Sequence, residues 1–194
     1  HAQPGARPVI FLTGEKHAGK TGMLLRLVRE AQARGLHTAG IASPGLWDAQ
    51  GHRAGFDLLE LDTGHRYPLS RRIHGLWPMP YMFDAESVSR GRKALSVARC
   101  KDADLVIVDE VGPFELSGKG WAGSLLALLS LQRPVLVWVV RRSLVQAVQD
   151  RFQVRAQAVD IENPRCLASF ASGKSDIFLP QRGQRGRKKR NLPD

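Results

Sequence analysis

The stretch VIFLTGEKHAGKTGMLLRLVREAQARG, residues 9–35, constrains the fold more than any other part of the chain. VIFLT has the length and β-branched content of a buried strand. GEKHAGKT follows: Gly14 and Gly19 flank four residues, and Lys20 and Thr21 come directly after. Leu24, Leu25, Leu27 and Val28 then recur at helical spacing, which predicts a helix over 20–34 that stops at Gly35. A strand, a glycine-hinged loop and a helix, in that order, open the kind of unit that builds parallel sheets covered by helices.

The same alternation continues to about residue 162. HTAGIAS (37–43), DLVIVDEVG (104–112), PVLVWVV (134–140) and a short segment around QAVDIE read as strands. Helices are predicted at DAESVSRGRKALSVARC, with Asp84 as cap and Val88, Leu95 and Val97 as apolar contacts, at WAGSLLALLSLQ (121–132), at SLVQAVQDRF (143–152) and around PRCLASFA. GFDLLEL, flanked by turn chemistry at AQGH and DTGH, predicts a hairpin region. LWPMPYMF is broken by proline and reads as a loop packed on the domain. Near-continuous apolar strands suit a sheet covered on both faces. The expected fold is therefore three-layer α/β, with a mainly parallel central sheet, helices on each side and a β-hairpin insertion. Right-handed crossovers bring the strand C-termini to one edge, so the loops after residues 13 and 108 should face the same way. One domain over 8–180 and a basic tail over 181–194 are expected.

Composition narrows the class. Hydrophobic residues make up 43% and charged residues 24% of 194, as in ordinary soluble globular chains, and no apolar run approaches the roughly 20 residues of a membrane span. HAQPGARP carries no apolar core of signal-peptide type. Cys100 and Cys166 are far apart, which argues against a disulfide framework or zinc site and points to the reducing cytoplasm. The net charge of +11 draws on Arg182, Arg185, Arg187, Lys188, Lys189 and Arg190 in RGQRGRKKRNLPD. That tail reads either as an electrostatic arm for RNA or an acidic partner, or as a solvated end. The absence of aromatic residues among its charges favours the second.

The chemistry is carried by two loops. Adjacent phosphates need converging backbone N–H groups, a path that Gly14 and Gly19 permit and that the helix N-terminus completes with its positive dipole end. The expected cradle is Gly14, Glu15, Lys16, His17, Ala18, Gly19, Lys20, Thr21 and Gly22. Lys20 would reach the β- and γ-phosphates of a nucleoside triphosphate, and the Thr21 hydroxyl would ligate Mg²⁺. His17 is expected to face solvent, and Gly22 gives up about 1 kcal/mol of helix propensity against Ala. At the end of VIVDE, Asp109 is suited to balance the metal's charge through bound water. Glu110, one residue on, is suited to polarise an attacking water, which a hydrolase requires. Arg141 or Arg142, just past a parallel strand, reads either as a charge-stabilising group or as an exposed basic pair.

Taken in order, VIFLTGEKHAGKT, then Gly55, Phe56 and Asp57, then VIVDEVGPFEL with Asp109, Glu110, Gly112, Glu115 and Leu116 resemble one family. It is the nucleoside-triphosphatase family of P-loop proteins, of the thermophile and human cancer-related type. The resemblance covers roughly residues 8–140. It implies a P-loop α/β fold and Mg²⁺-dependent hydrolysis with loose base preference, with Lys20 and Glu110 catalytic and Thr21 and Asp109 at the metal. This chain departs from the family pattern after the second strand, where Ser43-Pro44-Gly45 stands in place of Thr-Glu-Glu. If those acids hold metal or water, slow turnover is implied. The loop with LVREAQARGLHTAGI also resembles the adaptor of molybdopterin-guanine dinucleotide synthesis, so a nucleotide-binding adaptor with little or no turnover is the alternative reading. An RNA-associated NTPase would rest on the tail alone, and no acceptor or lid motif points to a small-molecule kinase.

Overall fold

In the computed structural model, which describes residues 9–73 and 81–163, the opening apolar run becomes β1 (Val9–Gly14), buried at every position. Its side chains alternate between two cores: Val9 and Phe11 face one, Ile10 and Leu12 the other. A strand covered on both sides needs this period of two with both faces apolar. The glycine-rich loop leads into α1 (Lys20–Ala33), whose Met23, Leu24, Leu27, Val28 and Ala31 form the stripe that packs on Ile10 and Leu12. Gly22 is exposed in its first turn, where its small propensity loss is outweighed by burial of that stripe.

β2 (Thr38–Ala42) follows, and the chain then leaves the parallel sheet for an antiparallel extension: β3 (Gly45–Trp47), β4 (Arg53–Glu60), β5 (Arg66–Arg72) and β6 (Tyr81–Phe83). The expected hairpin is therefore present, and LWPMPYMF differs in part from the expected loop. Its last three residues pair with Ser70–Arg72, whose outer edge would otherwise lack backbone partners; residues 76–80 lie outside the described residues. Asp57 locks the hairpin by accepting from Arg66 Nε at 2.7 Å and Arg71 Nη2 at 3.2 Å. Gly55 is required by close approach, since a Cβ there would lie 2.2 Å from the Ser70 carbonyl oxygen.

The chain returns through α2 (Ala85–Ala94), capped by Asp84 accepting from the Ser87 N–H at 2.7 Å, and the short α3 (Val97–Cys100). Leu95 is buried and Val88 partly so, but Val97, the first residue of α3, is 38% exposed and lies outside the core cluster that Leu95 and Cys100 join. β7 (Leu105–Val111), α4 (Pro113–Leu116), α5 (Ala122–Leu128), β8 (Val135–Arg141), a 3₁₀ turn (Arg142–Leu144), α6 (Val145–Phe152) and β9 (Ala156–Asp160) complete the described chain. The expected helix around PRCLASFA and the tail over 181–194 lie outside the described residues.

Five strands run parallel in the order β2-β7-β8-β1-β9, and β4, β5 and β6 extend the sheet beyond β2. One face is covered by α1. The other is covered by Leu95, Trp121, Leu125, Leu128, Val148 and Phe152, which pack on Phe11, Ile41, Val108 and Trp138. The Trp138 ring stacks on Phe11 at 5.8 Å and meets Phe152 edge-on at 5.5 Å. Among the described residues, no helix is long and apolar enough to cross a membrane. This order fixes the geometry of the C-terminal edge. The glycine-rich loop leaves β1, the acidic pair ends β7, and the tip of β8 stands between them.

Candidate functional site

The loop between β1 and α1 is built from unusual backbone. His17 has a φ of 68° and Gly19 one of 85°, the left-handed region that a non-glycine residue enters at a cost. Glu15, Lys16, His17 and Gly19 are exposed, Ala18 and Thr21 are half-buried, and Lys20 is buried. The loop thus folds as an exposed arch over a buried ammonium. Lys20 Nζ donates to the carbonyl oxygens of Gly14 at 3.1 Å and Glu15 at 2.5 Å. Burial lowers its pKa below the usual lysine value; Glu110 opposes the shift, Arg141 adds to it, and Asp109 and Glu15 oppose it. Lys20 is therefore close enough to both acids of β7 and to the tip of β8 for their charges to act on it.

β7 delivers the acids through a bulge. Val108 pairs with Trp138 and Val111 with Val140, so β7 advances three residues while β8 advances two. A bulge of this kind re-aims side chains at the end of a strand. Glu110 takes the distortion, with a φ of 61°, and its side chain is 44% exposed. Holding a glutamate in the left-handed region costs on the order of 1 kcal/mol. Asp109 points the other way and is fully buried. Its Oδ2 accepts from the Ser43 backbone N–H at 2.9 Å, whereas Oδ1 has no hydrogen-bond partner among the described residues. Burial raises its carboxyl to about 6, with the neighbouring Glu110 charge adding; the Ser43 N–H and the nearby Thr21 hydroxyl pull the other way. That hydroxyl lies beside the carboxyl without the geometry of a hydrogen bond to Oδ1.

Ser43, the first residue of the divergent Ser43-Pro44-Gly45, thus touches the acidic pair through its backbone rather than its side chain. Glu115 belongs to the scaffold: it is buried, accepts from the backbone N–H groups of Gly112 at 2.9 Å and Trp121 at 3.2 Å, and holds the turn after β7. Burial raises its pKa.

The two arginines after β8 separate. Arg142 donates to Glu15 Oε1 and Glu162 Oε2, each at 2.8 Å, and pairs with Asp160 Oδ2 at 2.6 Å. Glu162 Oε2 also accepts the Glu15 backbone N–H at 2.9 Å, so the start of the loop is tied to β8 and to the end of β9. Sequence reasoning gave no sign of Glu162 or Asp160, because Glu162 lies 147 residues from Glu15 and Asp160 lies 18 from Arg142, and only the sheet order brings these partners together. Arg141 instead turns toward the acids, with Nη2 3.9 Å from Glu110 Oε2.

Lys20, Thr21, Asp109 and Glu110 therefore converge on one edge, as the sequence predicted, with the expected loop residues Gly14–Gly22 arching over them. A comparison of the chain with known proteins gives a consistent picture. The family model described as NTPase matches residues 9–169. Nucleoside-triphosphatase THEP1 of Methanopyrus kandleri is 30% identical over 171 residues, covering 88% of this chain and 92% of that protein. THEP1 of Thermococcus kodakarensis is 28% identical over 183 residues, covering 91% and 98%. Among solved structures, a human cancer-related nucleoside triphosphatase superposes with a TM-score of 0.67 at 20% identity, over 88% of this chain and 97% of that one. THEP1 from Aquifex aeolicus gives 0.63 at 17%, over 87% and 98%. Those two structures share the fold. With the family match spanning most of its length and its motifs gathered on one edge of that fold, the chain belongs to the NTPase family.

Proposed function

We propose that the chain hydrolyses nucleoside triphosphates to the diphosphate and phosphate, with Mg²⁺ and loose base preference. The observation that carries this reading is Asp109: a fully buried carboxyl whose Oδ1 lacks a partner, beside Thr21 and next to Lys20 and Glu110. A buried anionic oxygen left unpaired is costly unless a ligand completes it. Asp109 and the Thr21 hydroxyl are hard oxygen donors and fit a small divalent cation such as Mg²⁺. Among the described residues, no three His, Cys, Asp or Glu side chains cluster as a metal site, so the donor set suits a cation that arrives with phosphate ligands. Bound with nucleotide, Mg²⁺ would neutralise charge on the β- and γ-phosphate oxygens.

The remaining roles fall to the chain itself. Backbone N–H groups of the Gly14–Gly22 loop cradle the phosphates, and Lys20 exchanges the Gly14 and Glu15 carbonyls for phosphate oxygens. Glu110, exposed at the bulge, orients the attacking water and accepts its proton as the oxygen bonds to phosphorus. The relatives' names favour hydrolysis over the adaptor reading. Residues 8–180 form the catalytic domain in this reading, working in the cytoplasm. The basic segment 181–194 stands outside that domain as a solvated end in this reading, and contact with RNA or an acidic partner is the second reading of its charge.

Phosphate release from each of the common nucleoside triphosphates, with and without Mg²⁺, tests the proposal. Lys20→Ala should abolish nucleotide binding and turnover together. Glu110→Gln should keep binding and lose on the order of 10²-fold or more in kcat. Undiminished release by Glu110→Gln removes it as the base, and no release by the wild type removes the hydrolase.

A further inference from the structure

We infer that Arg141 engages the γ-phosphate of the bound triphosphate and stabilises charge as that phosphoryl group is transferred; this rests on the hydrolase reading above. Register fixes its place. Arg141 pairs with Gly14, the first residue of the loop, while its neighbour Val140 pairs with Val111, just past Glu110. The guanidinium therefore stands at the tip of the strand between the loop and the acidic pair, where the terminal phosphate must sit if the loop holds the β-phosphate and Glu110 holds the water.

Its bonding state agrees. Arg142 is used up on Glu15, Asp160 and Glu162. Arg141, 38% exposed, makes one ion pair among the described residues, to Glu110 at 3.9 Å, beyond hydrogen-bond range. Its fork of N–H donors is left for a ligand with oxygens in a plane, which a phosphoryl group offers. The charges point the same way. Arg141 repels the Lys20 ammonium and helps to lower its pKa. Two cations held near each other are an unfavourable arrangement in the free protein, and a polyphosphate placed between them turns repulsion into two attractions. In the transfer step, the bond from the γ-phosphorus to the bridging oxygen breaks as the water oxygen bonds to phosphorus. The water proton passes to Glu110, and the leaving diphosphate keeps the electron pair. Arg141 forms and breaks no bond; it is a catalytic residue through contact with the equatorial oxygens, where negative charge is spread.

Equilibrium binding of ADP and of a non-hydrolysable ATP analogue, together with phosphate release, tests the assignment on the full chain. Arg141→Ala should leave the ADP affinity within about twofold, weaken the analogue by roughly tenfold or more, and lower kcat on the order of 10³-fold. Arg141→Lys should regain part of the analogue affinity and little of kcat, since it keeps the charge but not the fork. In a Glu110→Gln background, Arg141→Ala should still weaken the analogue. If it does not, Arg141 acts only on Glu110 and the phosphate contact is overturned. Equal losses for ADP and analogue, or a kcat within twofold of wild type, overturn it as well. A wild type that releases no phosphate sinks the hydrolase reading instead, and the ratio of analogue to ADP affinity still decides the phosphate contact of Arg141.

Discussion

At Asp109, one residue joins stability to the proposed function through its titration. Burial raises the folded carboxyl to about 6, above the ordinary aspartate value of about 3.9 in an unfolded chain. Well below pH 4 the group is neutral in both states and costs nothing. Between about pH 4 and 6 the unfolded chain ionises freely, whereas the folded, nucleotide-free protein must either hold the proton or bury an anion. Its stability therefore falls across that window, by roughly 2–3 kcal/mol for a shift of this size. Asp109→Asn removes the charge and keeps an oxygen for the Ser43 N–H. The nucleotide-free variant should melt several degrees above wild type at pH 8, match it well below pH 4, and lose Mg²⁺-dependent turnover. A variant melting below wild type at pH 8 would show that the buried charge is compensated after all. Glu110 beside it bears a cost in backbone conformation.

Among the elements, the hairpin shows how a motif with no chemistry of its own places the site. Gly55, Phe56 and Asp57 form part of the family pattern, yet none of them is among the groups gathered around Lys20. Asp57 clamps Arg66 and Arg71, and Gly55 lets β4 close on the Ser70 carbonyl. β3 and β4 continue directly from Ser43, whose N–H positions Asp109, so a misfolded hairpin reaches the site through that contact. Gly55→Ala must push β4 and β5 apart, at a cost of about 1–3 kcal/mol. A lower denaturation midpoint and a reduced kcat, with ADP binding kept, is the expected result; an unchanged midpoint would show that the strands yield freely.

The same elements mark what was legible in the sequence. Continuous apolar runs exposed the parallel strands because burial on both faces leaves nothing polar to alternate. GEKHAGKT and VIVDE marked the candidate site because the phosphate and metal binding proposed for it limits which residues can serve. The bulge at Glu110 was not legible, since a strained φ arises from the register of β7 against β8 rather than from any local signal. Nor was the difference between Arg141 and Arg142, adjacent and chemically identical, which partners from distant strands alone decide.

For the whole molecule, charge is unevenly distributed. At the edge that holds the site, Lys16, Lys20, Arg141 and Arg142 stand with Glu15, Asp109, Glu110, Asp160 and Glu162, so the local balance does not share the chain's net +11. The cationic excess lies elsewhere, and six of its members fall between residues 182 and 190. At physiological ionic strength, fields between exposed charges fade beyond about 8 Å, so those six influence the edge only if they lie directly against it. Every group assigned to turnover above falls within residues 9–163, and each has its contacts there. Deleting residues 182–194 should therefore leave kcat within twofold of the full chain at 0.15 M salt. Affinity for single-stranded RNA should respond differently. Phosphate contacts release counterions and weaken steeply with salt, so whatever RNA binding the full chain has at low salt should fall sharply in the deletion, together with its salt dependence. A deletion that slows phosphate release would bring the basic segment into the site; one that leaves RNA binding intact would move that affinity onto the folded domain.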